Sequence, residues 1–232
     1  VNIADGFTSA SSGFVLMGLS ADSAGAEDLS VKFDSAVTNC GVWGPLAWTN
    51  QGWKAGDTTG TSLFFGTVNL ESGSSTQAIG AAGATVYSIN TSSVFNTHTT
   101  GNKDNVSYRF EYGVSGFFCG PVISENPDGV SVYMVGLDGT SGSGNTLFCY
   151  DGAKIDQNAQ AALYQGPHQD GIDGATIFAT PALGQGAYAS DNNYSGNSLF
   201  VVDGRGGVSV YNKNTLAFLY AVQYGENDNV AT

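Results

Sequence analysis

One short strand pattern recurs four times along this chain. LSVKFD at 29–34, TVYSIN at 85–90, TLFCYD at 146–151 and VSVYN at 208–212 are brief alternating strands that stop at an acid or an amide. The stops, Asp34, Asn90, Asp151 and Asn212, fall 56, 61 and 61 residues apart. Self-similarity at a long period marks stacked supersecondary units, because each unit is too small to bury its own apolar face. Four such units fill the 232 residues, a length suited to one all-β domain.

Further markers flank each copy. Apolar stretches running through Gly-Pro or Thr-Pro come first: VWGPLA from Val42, FFCGPVI from Phe117 and IFATPAL from Ile177. Proline has no amide to give to a ladder, so it marks a strand start, an edge or a bulge. Another strand then follows, FVLMGL from Phe14, SLFFGTV from Ser62, VSVYMVGL from Val130 or SLFVVDG from Ser198. A fourth comes after the Asp or Asn, as in QAALYQ from Gln160 and LAFLYAV from Leu216. Four strands per unit is the make-up of a propeller blade.

The spacing therefore predicts an all-β chain, a single four-bladed β-propeller over 1–232 with four-stranded antiparallel blades near 7–40, 41–100, 117–166 and 177–224 and a tail at 225–232. Asp34 and Pro45 are only 11 residues apart, so the first blade is expected to lack its outer strand. Ring closure then falls to the N- and C-terminal segments, residues 1–12 and the tail after Tyr224. An incomplete blade leaves an open edge that a strand of this chain or of a neighbouring subunit can fill.

The last unit, NSLFVVDGRGGVSVYNKNTLAFLYAV, resembles the blade repeat of quinoprotein-type (PQQ-like) β-propellers. The resemblance covers 177–222 well, 117–165 less closely and the first half only weakly. It implies a fold and not an activity, since such repeats build dehydrogenases, outer-membrane assembly scaffolds and binding proteins alike. The dehydrogenases use roughly twice as many blades and a vicinal Cys-Cys beside the cofactor. Cys40, Cys119 and Cys149 are not adjacent, so no cofactor is expected.

Seven Lys and Arg against twenty Asp and Glu give a net charge of -13, which repels phosphate backbones and anionic lipid surfaces. Nucleic acid is therefore not an expected partner. No run of about 18 apolar residues is present, so no membrane-spanning helix is expected. No stretch reads as a signal peptide, and Val1 reads as a mature terminus. Scarce Lys with abundant Ser, Thr, Asn and Gly is typical of secreted or cell-surface chains. Asn90, Asn105 and Asn193 open N-x-Ser/Thr triplets that would accept glycans there, although a chain this rich in Asn, Ser and Thr also produces such triplets by chance.

Groups for chemistry are few. Three cysteines allow at most one disulfide within the chain. Cys119 and Cys149 fall on what read as the first and third strands of one blade, too far apart for a bridge unless the strands converge, and the pairing stays open. Two histidines, His98 and His168, give a catalytic triad little to draw on. His168, Asp170 and Asp173 could hold a cation, and the loops around Asp128, Asp138, Asp191 and Asp203 invite a calcium reading. The same Asp-Gly and Asn-rich strings are ordinary β-turn chemistry, so metal binding stays undecided. Trp43, Trp48 and Trp53 fall within GVWGPLAWTNQGWK; indole faces stack on sugars and anchor interfaces, though packing between blades is the commoner role. A glycosidase would need two carboxylates about 5 to 10 Å apart, a distance that sequence does not give.

The reading that follows is a secreted, non-enzymatic structural protein, a subunit of an extracellular filament or surface assembly whose partner is itself. The alternative is a secreted lectin-like propeller that binds carbohydrate or protein through the tryptophan stretch at 43–53 or the Gly-rich loop at 70–84.

Overall fold

The structure is a computed structural model that describes residues 13–19, 27–34, 40–42, 44–49, 62–69, 84–90, 106–126, 129–138, 145–157, 159–166, 177, 179–184 and 197–223. Among these residues every regular element is a strand, and every pairing is antiparallel.

Along the chain run a four-stranded sheet, a four-strand stretch of a seven-stranded sheet, and another four-stranded sheet. The first is β4 (Ala47–Thr49), β5 (Ser62–Gly66), β7 (Ala84–Asn90) and β8 (Val106–Glu111). The second is β10 (Val122–Asn126), β11 (Gly129–Asp138), β12 (Asn145–Asp151) and β13 (Gln160–Leu163). The third is β14 (Ala182–Gly184), β15 (Ser198–Val202), β16 (Gly207–Asn212) and β17 (Phe218–Gln223). Ahead of them β1 (Gly13–Leu19) and β2 (Glu27–Asp34) form a hairpin with Phe14 opposite Phe33. The recurring strand of the sequence is β2, β7, β12 and β16, ending at Asp34, Asn90, Asp151 and Asn212. β8 lies within 101–116, a stretch that the sequence spacing assigned to no unit.

The terminal acid or amide has a local cause. Asp151 Oδ1 accepts the Ala153 amide at 2.9 Å, and Asn212 Oδ1 accepts the Asn214 amide at 2.9 Å. A short polar side chain that bonds the backbone two residues on turns the chain sharply. Four residues after Asp151 and Asn212, Ile155 and Leu216 are buried apolar plugs in the turn that follows. Leu216 takes a positive φ of 54° to do so, a conformation that a branched residue holds only when packing over-determines it.

The central strand β11 is buried on both faces. β11 turns Val130, Val132 and Met134 to one side, where they pack with Phe64, Val86, Phe117, Phe148 and Tyr150. Its alternate residues Tyr133 and Val135 go to the other side, with Leu147, Tyr164, Leu199, Val201 and Tyr211. Two-residue periodicity with apolar residues at both phases is what a strand between two packed layers requires. It explains the run VSVYMVGL, in which Ser131 is the one polar residue.

The sheets are not insulated from one another. Short strands β3 (Cys40–Gly41), β6 (Val68–Asn69) and β9 (Val114–Gly116) form a strip, with Gly41 opposite Val68 and Val68 opposite Gly116. β9 also pairs with the end of β11, Leu137 opposite Gly116. This strip joins segments that leave β2, β5 and β8 to the second sheet. No closed ring is seen among the described residues, and both segments predicted to close it, 1–12 and the tail after Tyr224, lie outside them.

Candidate functional site

β4, β10 and β14 each follow a proline pair, beginning one or two residues after Pro45, Pro121 and Pro181, where the missing amide costs no ladder bond. Gly44-Pro45 packs directly on Cys119-Gly120: a Cβ on Gly44 would lie 2.6 Å from the Cys119 carbonyl carbon, and one on Gly120 would lie 2.6 Å from Pro45 Cγ. Only glycine permits this approach of backbone to backbone. The Gly120 amide donates to Thr180 Oγ1 at 3.2 Å. The three pairs thus touch in sequence order, and they hold β10 between β4 and β14.

A hollow of about 340 Å³ opens where these strands meet. Trp48 from β4, Ile123, Ser124 and Glu125 from β10, Leu183 from β14 and Lys213 from the β16–β17 turn line it. Trp48 is 62% exposed, so its indole is not packed between sheets. The hydroxyl of Thr49, itself buried, donates to Glu125 Oε1, which fixes the carboxylate at the rim. Lys213 Nζ donates to Ser124 Oγ at 3.3 Å. An exposed aromatic face, two apolar side chains, one acid, one amine and a hydroxyl therefore share one small concavity. Such a set can hold a small polar ligand by stacking and hydrogen bonds.

Tyrosines bracket neighbouring sheets. Tyr150 on β12 donates to Glu111 Oε1 at 3.2 Å, at the end of β8, and burial together with that carboxylate pushes its phenol well above the ordinary range. Arg109 holds the same carboxylate oxygen at 2.5 Å and donates to the Gln157 carbonyl at 2.6 Å. Tyr211 repeats the arrangement one unit on: its hydroxyl donates to the Gln165 carbonyl at 2.8 Å and accepts the Gln165 amide at 2.6 Å. Asp203 resolves one of the proposed calcium loops. It is buried, and Oδ1 accepts the amides of Arg205 at 2.9 Å and Gly207 at 2.8 Å while Oδ2 accepts the Tyr164 hydroxyl at 3.1 Å. Its carboxylate serves the hairpin turn and the sheet junction.

The outermost strands carry apolar surface. Tyr108 and Tyr112 at β8, Leu163 on β13, and Phe218 and Val222 on β17 are exposed. β13 (QAAL) and β17 (FLYAVQ) contain no charged residue.

Other sequence candidates stand as follows. Asn90 is the last residue of β7, opposite Ser62, while Asn105 and Asn193 lie outside the described residues. So do Trp43, Trp53, His98, His168, Asp170 and Asp173. Cys119 and Cys149 are both free thiols. Cys119 is fully buried with Sγ 3.6 Å from the Val135 carbonyl, and burial raises the pKa of both. Glu125, Ser124 and Lys213 are the site residues that sequence reasoning missed. No family model matches the chain, and no curated protein matches it.

Proposed function

We propose that the chain is a secreted, non-enzymatic structural protein, a propeller-type subunit that joins copies of itself into an extracellular filament or surface assembly. The observation that carries this is β17, an outermost strand of six uncharged residues with Phe218 and Val222 exposed. Chains that stay apart guard their last strands with Lys, Pro, bulges or brevity. β17 has neither Lys nor Pro and continues past its single bulge at Leu219 with Tyr220–Gln223 in regular register, and the four-residue β13 is likewise uncharged with Leu163 exposed. A net charge of -13 would keep subunits in solution until such strands meet.

Three features support a four-bladed propeller of quinoprotein type as the frame. The sheets stack in sequence order, their inner strands neighbour one another, and the repeat occupies the chain four times. The Lys-poor, Ser- and Thr-rich composition and the triplets at Asn90, Asn105 and Asn193 support an extracellular setting.

Sedimentation velocity and negative-stain microscopy test the reading on the wild type and on a Leu163→Lys, Val222→Lys double variant. Both side chains are exposed, so the variant is expected to keep the wild-type melting temperature within about 2 °C. Concentration-dependent assemblies in the wild type that the variant lacks support the proposal. A wild type that stays monomeric overturns it.

A further inference from the structure

We infer that the hollow between β4, β10 and β14 binds a single neutral sugar residue, with the Trp48 indole stacked on its C–H face. This inference stands apart from the assembly of subunits, because its residues are on the inner strands and the β16–β17 turn.

The chemistry points to a sugar through its mixture. A pyranose has an apolar face and a rim of hydroxyls, each of which both donates and accepts. The hollow offers one large exposed aromatic face beside Ile123 and Leu183, then an acceptor in Glu125, a donor in Lys213 and a hydroxyl in Ser124. Among the described residues, one acid and one amine line it, a balance that does not favour an ionic ligand. Thr49 occupies Glu125 Oε1, and among the described residues no hydrogen bond is made to Oε2, which can take a ligand hydroxyl. Lys213 gives one hydrogen bond to Ser124 and has two more N–H groups to give. About 340 Å³ is at the small end for ligand sites, suited to one ring and not to a long chain.

The site is also built in advance. Thr49 is 2% exposed and Ser124 7%, so the groups that orient Glu125 and Lys213 are themselves fixed, and little ordering remains to oppose binding. The bonds join residues 76 and 89 positions apart in the chain, so the constellation exists only in the folded protein.

Saturation-transfer difference NMR on the wild-type chain with methyl glycosides of glucose, galactose, mannose and N-acetylglucosamine, beside glucuronate and glucosamine, reads this directly. At least one neutral glycoside is expected to bind, with transfer strongest at the ring C–H protons on one face. Trp48→Ala is expected to weaken it by about tenfold or more and Glu125→Gln by several-fold, while Trp48→Tyr retains part of the binding. Melting curves check that the exposed Trp48 and Glu125 variants remain folded. Binding of no neutral glycoside, neutral-glycoside binding unchanged in Trp48→Ala, or tighter binding of glucuronate or glucosamine than of every neutral sugar would each overturn the assignment.

Discussion

Replacing Asp203 by alanine should destabilise the chain by about 2 to 4 kcal/mol, and the structure shows where that comes from. The carboxylate is 4% exposed and accepts hydrogen bonds from the Arg205 and Gly207 amides and the Tyr164 hydroxyl. Without it the Gly207 amide, at a buried position, has no acceptor, which costs about 1 to 3 kcal/mol. The Arg205 amide is part-exposed and can turn to water. The Tyr164 hydroxyl can turn to donate to Ser209 Oγ, 3.0 Å away, so each of these losses is nearer about 0.5 kcal/mol. For a chain of this length the sum lowers the melting temperature by about 5 to 15 °C. Asp203→Asn retains an Oδ1 acceptor for both turn amides and should lose about half as much. Calorimetry on Asp203→Ala, Tyr164→Phe and the double variant also measures the coupling between the second and third sheets. That coupling should exceed about 0.5 kcal/mol. An Asp203→Ala protein within about 0.5 kcal/mol of wild type would refute the reasoning, because a buried turn amide would then have lost its acceptor at no cost.

Three other outcomes follow from named residues. Burial pushes Tyr133 and Tyr211 up to about 12, so the fold holds the neutral phenols. Their contribution is intact below pH about 10 and disappears as pH climbs towards about 12; the melting temperature should fall across that window, and fall less steeply in Tyr211→Phe. Gly120→Ala places a Cβ 2.6 Å from Pro45 Cγ and should cost about 1 to 3 kcal/mol in a denaturant titration, with Gly184→Ala as a milder comparison against the Phe200 ring. Alkylation followed by mass spectrometry should find Cys119 protected in the native protein and Cys149 labelled sooner, because Cys119 is buried and Cys149 only partly so. Equal rates would contradict that burial.

The strands were legible because their signals are local. Asp151 and Asn212 cap turns within two residues, and Pro121 and Pro181 stand immediately before β10 and β14. The strip of β3, β6 and β9 was not legible, since strands of two or three residues show no periodicity and owe their pairing to neighbours. β8 fell in a stretch that the spacing assigned to no unit, and its charges Arg109 and Glu111 are paired with each other at a sheet junction. Trp48 stood out as an aromatic, yet its exposure and its company depend on the packing of Gly44-Pro45 against Cys119-Gly120. Glu125 and Lys213 carry no motif. They come together only where β4, β10, β14 and the β16–β17 turn meet, and nothing in an isolated segment marks that convergence.

Assembly through the outer strands is tested most directly by negative-stain microscopy of the wild-type chain across a concentration series, with sedimentation velocity on the same samples. Assemblies that lengthen with concentration, and that disappear in the Leu163→Lys, Val222→Lys variant at unchanged melting temperature, are the predicted result. Isolated monomers at every concentration, with β13 and β17 exposed and uncharged as they are, would contradict it.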